Sequence, residues 1–143
     1  MSRCQIIAEC CTNWAGDRDL LVDMIKAAAA AGADICKFQS YQVEHLRRGD
    51  PQAAWFALNE LTDADHELIC KTCDAAHVDP LFTAFHLQDL RRLHRLGFTG
   101  VKIGSGEGRT WLVRAATDSC WFAPVYATLP WGDGASGHLP TWL

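Results

Sequence analysis

Short apolar runs, each followed by a stretch of helical period, recur along most of this 143-residue chain, and few folds accommodate that alternation. The runs are Gln5 to Ala8, Asp34 to Ser40, Val78 to Phe85, Thr99 to Ile103 and Phe122 to Ala127. They are largely continuous rather than alternating in polarity, as strands covered on both faces are. After the first run, Leu20, Leu21, Met24, Ile25 and Ala28 repeat at helical spacing behind Asp17 and Asp19, and Gly32 closes the helix. Thr62 followed by Asp65 resembles a capping box and opens a helix to about His77. Leu87, Leu90, Leu93 and Leu96 before Gly97, and then Trp111, Leu112 and Ala115, mark two more. From Tyr41 to Leu61 no clean period runs, so this is a long loop with room for a short helix at Ala53 to Leu58. The alternation predicts an α/β fold with a parallel sheet covered by helices.

Two architectures satisfy that pattern, an open doubly wound sheet and a (β/α) barrel. An open sheet usually concentrates its chemistry in the first glycine-rich loop, whereas here polar residues stand at several strand ends: Glu9, Lys37 with Gln39, Thr83, and Lys102 with Ser105 and Glu107. That distribution predicts a TIM-type barrel. A full barrel has eight units and typically ~250 residues, so four to five βα units make a partial one, expected over residues 1–128. The remaining 129–143 hold two prolines, three glycines and two tryptophans without period and are expected to be irregular.

Charge narrows the partners. Thirteen Lys and Arg against seventeen Asp and Glu leave a formal charge of -4, and the arginine doublets Arg47-Arg48 and Arg91-Arg92 stand alone, which argues against nucleic acid. No export signal or membrane span is legible, so a cytoplasmic protein is expected. The seven cysteines, an odd number, are then reduced thiols; Cys70-x-x-Cys73 falls in a helix without a second pair at zinc spacing. The six histidines show no ligand spacing and are expected to be solvated, most of them on helix surfaces.

The chemistry gathers on two lysines inside strands. Lys102 lies between Val101 and Ile103, and Lys37 between Cys36 and Phe38, where an unpaired ammonium would cost several kcal/mol, so each needs an anionic partner or an escape to water. Gly104-Ser105-Gly106-Glu107 follows Lys102 at once, and glycines there would let backbone N–H groups converge on a phosphate or carboxylate. On a curved sheet these groups meet in one cleft suited to a small, multiply anionic substrate.

Four motifs in order carry a resemblance: Glu9-x-x-x-Asn13-x-x-Gly16, Gly32 to Gln39 ending in Lys-Phe-Gln, Thr83-Ala84-Phe85, and Lys102-Ile103-Gly104-Ser105-Gly106-Glu107. Together they resemble the N-acetylneuraminate (sialic acid) synthase family, over residues 5 to about 117. The resemblance implies a TIM-barrel enzyme that condenses phosphoenolpyruvate with an N-acylated amino sugar, uses a divalent metal (Mn or Mg) and works as a homo-oligomer. It implies that Lys37, Thr83, Lys102 and Ser105 hold phosphoenolpyruvate, that Glu9 and Gln39 face the sugar, that Asn13 is a further substrate-binding residue, and that Glu107 lies near the metal-bound water. Glu9, Lys37, Lys102 and Glu107 make the catalytic set on this reading. Departures accompany it. Cys10, Cys11 and Trp14 replace the Ile, Gly and His of the family's first motif, and Thr83-Ala84-Phe85-His86 stands for Thr-Pro-Phe-Asp. The family's metal-binding histidines come from later strands, and its C-terminal antifreeze-like domain is not legible either, so the expectation is a truncated form. Two other readings remain: a Schiff-base aldolase working through a barrel lysine, and a non-catalytic anion-binding remnant.

Overall fold

The computed structural model describes residues 4–45, 48–104, 111–119 and 121–127. Strands β1 (Ile7–Cys11), β2 (Ile35–Ser40), β3 (Asp79–Ala84), β4 (Val101–Ile103) and β5 (Val125–Ala127) form one sheet in the order β1-β2-β3-β4-β5, every neighbouring pair parallel. Helices α1 (Arg18–Ala30), α3 (Asp63–Ala76), α4 (Leu87–Arg95) and α5 (Trp111–Asp118) make the crossovers, and α2 (Ala53–Leu58) sits in the long loop after β2. A doubly wound sheet would reverse its strand order at a switch point. Here the order never reverses, as in an arc of barrel wall. Curvature is visible across the concave side, where the Tyr126 hydroxyl on β5 donates to Gln5 Oε1, just ahead of β1, at 3.3 Å.

The two faces of the sheet divide by residue type. Cys36, Phe38 and Ser40 on β2, Phe82 and Ala84 on β3, and Val101 and Ile103 on β4 are fully buried beneath the helices. Alternate residues turn the other way, so Lys37, Gln39, Thr83 and Lys102 share the concave face. Phe82 fills the centre of the outer layer, its ring 6.1 Å from Phe38, 4.5 Å from Phe98 and 4.8 Å from the His66 imidazole. Among the described residues no helix is long and apolar enough to cross a membrane.

The expected strand and helix boundaries hold to within one to three residues at most ends, and the short helix in the loop runs over Ala53–Leu58. Strand β1 differs, continuing past Glu9 to Cys11 through a bulge at which Cys11 takes a φ of 51°. The capping box at Thr62 forms: Asp65 Oδ2 accepts from the Thr62 N–H at 2.9 Å, and the Asp65 N–H donates to Thr62 Oγ1 at 3.2 Å. Asp65 also accepts from Arg18 Nε at 2.7 Å, which fastens α3 to α1.

The histidine expectation fails at one position. His66 is not a solvated helix residue but 1% exposed, packed on Phe82. Its Nδ1–H donates to the Thr62 carbonyl at 2.7 Å, which leaves Nε2 to accept from the Ser40 hydroxyl at 3.0 Å. Burial holds its pKa below the usual histidine value, with the Thr62 carbonyl opposing and Arg92 adding to the effect. The native state therefore resists a proton that the unfolded chain takes up below about pH 6.5, so this contribution is complete above that pH and lost as pH falls toward the lowered native value. The melting temperature is expected to drop between roughly pH 7 and pH 5, with a shallower drop in His66→Gln. Equal slopes for the two proteins would show that His66 does not titrate in that window.

Candidate functional site

The polar residues of the concave face meet because register places them in one row. Glu9 lies opposite Lys37, Gln39 opposite Thr83, and Thr83 opposite Lys102. Lys37 is the centre of the row, its side chain only 8% exposed, with Nζ 2.7 Å from Glu9 Oε2 and donating to Thr83 Oγ1 at 2.8 Å. A buried ammonium is tolerable when its protons are used, and two of the three are used here. The third has no partner among the described residues. Thr83, 2% exposed, accepts from Lys37 and so keeps its own hydroxyl proton free to donate. Lys102 is half-buried, and among the described residues no hydrogen bond or ion pair holds its Nζ. Burial lowers its pKa first and the nearby Lys37 charge lowers it further, with Glu9 opposing. Among the described residues of the row, two lysines stand against one carboxylate.

The turn after β1 is held by its own backbone and by α2. Asn13 N–H closes onto the Cys10 carbonyl at 3.1 Å, and Asp17 Oδ1 accepts from the N–H groups of Asp19 and Leu20 to start α1. Gly16 is obligatory: its φ is 77°, and a Cβ there would stand 2.8 Å from Leu58 Cδ1 and 3.0 Å from the Leu58 carbonyl oxygen. That close approach seats α2 over the turn, where the Trp55 indole N–H donates to Thr12 Oγ1 at 3.4 Å. The Tyr41 hydroxyl donates to the Phe56 carbonyl at 2.8 Å, and Glu60 accepts from the Val43 N–H at 3.2 Å, so the long loop is pinned at both ends.

Of the expected site residues, Glu9, Lys37, Thr83 and Lys102 are brought together, and Gln39 stands half-buried beside Thr83. Asn13 is exposed on its turn, and no side-chain hydrogen bond ties it to the row. Ser105 and Glu107 lie outside the described residues, as does Gly106. Gly104 is not in the left-handed region, and a Cβ there would make only ordinary contacts, 3.6 Å to the Phe85 ring. The expectation that this first glycine supplies an unusual backbone is thereby corrected.

Sequence reasoning passed over two supports. Asp89, fully buried, accepts from the N–H groups of Phe85 and His86 at 3.2 and 2.8 Å and clamps the turn immediately after Thr83. Burial pushes its carboxyl pKa up despite those two bonds. The signal was a carboxylate three residues after the turn residue His86, spaced as in a capping box. Cys10, Cys36 and Cys73 form a buried thiol cluster behind the row, in which the neighbouring thiols draw the Cys36 pKa down while those of Cys10 and Cys73 rise. Nothing in linear spacing announces that cluster, because it joins β1, β2 and α3.

The resemblance implies a divalent metal, and the described residues do not fit one: among them no group of three or more His, Cys, Asp or Glu side chains is placed to hold a metal ion. What they provide is the Lys37 and Lys102 amino groups with the Thr83 hydroxyl between them.

The pattern of the NeuB family matches residues 24–113, which include Lys37, Gln39, Thr83 and Lys102. N,N'-diacetyllegionaminic acid synthase of Legionella pneumophila subsp. pneumophila is 30% identical over 119 residues, covering 73% of this chain and 33% of its own length. The enzyme of that name from Campylobacter jejuni subsp. jejuni is 32% identical over 125 residues, covering 75% and 36%. This chain thus spans about a third of the length of the curated relatives it matches. Among solved structures, N-acetylneuraminic acid (sialic acid) synthetase from Leptospira borgpetersenii serovar Hardjo-bovis superposes with a TM-score of 0.74 at 30% identity, over 82% of this chain and 42% of that one. With its ordered parallel strands, its row of lysines and these matches, the chain belongs to the NeuB family, the sialic acid synthase-like proteins.

Proposed function

We propose that this chain carries the phosphoenolpyruvate-binding part of a synthase that condenses phosphoenolpyruvate with an N-acylated amino sugar. The observation that carries the reading is Lys37, buried yet left with one free N–H between Glu9 and Thr83, with Lys102 opposite Thr83 on the next strand. Phosphoenolpyruvate brings a phosphate and a carboxylate, and two ammonium groups flanking a hydroxyl donor match that pair of anions. Lys37 and Lys102 hold the ligand by charge, and Thr83 orients it by a hydrogen bond. Glu9 and Gln39, on the same face, are the polar groups offered to the hydroxyls of the second substrate. Glu9 is 54% exposed at its side chain and can therefore serve both Lys37 and a ligand. Holding the two reactants in register is worth a large part of such a barrier. The related enzymes named for N,N'-diacetyllegionaminic acid and for N-acetylneuraminic acid both support an N-acylated amino sugar as the partner. Association of copies belongs to the same reading, since β1 is an edge strand with Ile6 and Ile7 exposed.

Calorimetric titration with phosphoenolpyruvate tests the reading. A charge-assisted contact contributes about 1.5–3 kcal/mol, so Lys102→Ala is expected to weaken binding roughly tenfold to a hundredfold. No heat of binding in the parent protein, or unchanged affinity in the variant, would remove the anion site.

A further inference from the structure

We propose that Lys102 is also a covalent group: its amine condenses with the carbonyl of a short 2-oxo acid to form an imine. The inference goes beyond phosphoenolpyruvate binding and borrows from that reading only the capture of a carboxylate by Lys37 and Thr83. Its basis is the asymmetry between the two lysines of the concave face. Lys37 Nζ is held by Glu9 at 2.7 Å and donates to Thr83 at 2.8 Å, whereas Lys102, directly opposite Thr83 in register, has no hydrogen-bonding or ion-pairing partner among the described residues. A neutral amine is what imine chemistry requires, and an adjacent cation with partial burial is a known way to obtain one from lysine. Both conditions are met at Lys102, where burial and the Lys37 charge act in the same direction. Among the described residues the groups facing it are Glu9 on β1, Lys37 on β2, Thr83 on β3 and Tyr126, its register partner on β5. Of these only Glu9 opposes the effect, and its charge is shared with Lys37.

The step balances without any redox partner. The Lys102 nitrogen lone pair forms a C–N bond to the 2-carbon while the carbonyl π pair moves to oxygen, and a proton passes from nitrogen to that oxygen. A proton taken from solvent water then lets the hydroxyl leave as water while the nitrogen lone pair forms the C=N bond, which leaves the protonated imine with one proton taken up and one water released for each imine formed. The carboxylate of the 2-oxo acid lies one bond from the reacting carbon, and Thr83, which accepts from Lys37 and would hold that carboxylate with it, is the register partner of Lys102. Pyruvate is the smallest member of the class, and 4-hydroxy-2-oxo acids share the reacting end.

The chain makes the test clean, because it contains four lysines and the other two are exposed partners of surface carboxylates: Lys26 beside Asp23 and Lys71 beside Glu67. The whole protein is treated with pyruvate and sodium cyanoborohydride near roughly pH 8, where an ordinary lysine is protonated, and the adduct is mapped by peptide mass spectrometry. Labelling at Lys102 is expected on the order of tenfold faster than at Lys26 or Lys71, because the carboxylate is captured first beside an amine whose pKa burial and the Lys37 charge lower. Lys102→Arg should lose that adduct while leaving the slow surface labelling. Propanal, which lacks the carboxylate, should label Lys102 more slowly than pyruvate does. In Lys37→Met, at saturating pyruvate, the pH of half-maximal labelling should move up, a shift that a merely structural lysine would not produce. Equal labelling of all four lysines, or an adduct that persists in Lys102→Arg at the same total rate, overturns the proposal. Phosphoenolpyruvate calorimetry on the same sample keeps the two readings apart: binding without a Lys102 adduct sinks the imine alone, and an adduct without binding sinks the phosphoenolpyruvate site alone.

Discussion

Phe82→Ala is expected to lower the stability of the chain by about 3–5 kcal/mol, the range for deleting a fully buried aromatic ring. The ring sits on the helix-facing side of β3 with no exposed surface, between Phe38 on β2, Phe98 after α4 and His66 on α3. Its loss opens a hole where the sheet meets two helices, and the surrounding side chains come from separate elements that cannot close together. Domains of this size are stable by only about 5–15 kcal/mol, so a single such hole consumes a large share. Urea unfolding followed by circular dichroism measures it. Phe82→Leu, which keeps most of the volume, should recover more than half of the loss. A cost under about 1 kcal/mol for the alanine variant would mean that the site collapses freely and that the outer layer is not packed as described.

How much of this was legible in the sequence depends on whether a signal is local. The helices were, because their apolar period, the Asp17 cap and the Thr62 capping box are written within a few residues. The strands were as well, since continuous apolar runs broken by one lysine are rare and each such run is a strand here. The row of Glu9, Lys37, Thr83 and Lys102 was legible as a set of strand-end polar residues, but its register was not. Which residue lies opposite which is fixed by the packing of helices behind the sheet and by the bulge at Cys10, and neither has a local marker. His66 was misread for the same reason: one polar residue on a helix looks solvated until Ser40 and the Thr62 carbonyl are brought to its two nitrogens. Gly16 shows the opposite case, since its place in the first motif marked it and the approach of Leu58 supplies the cause.

Lys37→Met is expected to remove most phosphoenolpyruvate binding while leaving stability nearly unchanged, and that separation is the sharpest test of whether the lysine row serves function or fold. A buried ammonium is costly to desolvate, and well-packed apolar replacements of buried charges are often neutral or stabilising. The partner left behind decides the sign. Glu9 is 54% exposed at its side chain, so water takes over its carboxylate when Lys37 is gone, in contrast to a pair in which both charges are buried. Thr83 loses a donor but retains a hydroxyl proton of its own. Methionine fills the stem volume that lysine occupied, so no cavity opens. The expected change in unfolding free energy is therefore within about 1 kcal/mol of zero. Binding responds differently, because the substitution removes a charge-assisted donor and also the group that orients the Thr83 hydroxyl. At about 1.5–3 kcal/mol for the first and about 1 kcal/mol for the second, a loss of roughly a hundredfold to a thousandfold is expected. Melting curves and calorimetry on the same preparation measure both quantities. A variant that melts far below the parent yet binds phosphoenolpyruvate normally would make Lys37 a structural residue and move the anion site elsewhere, whereas normal melting with lost binding assigns the buried charge to the ligand.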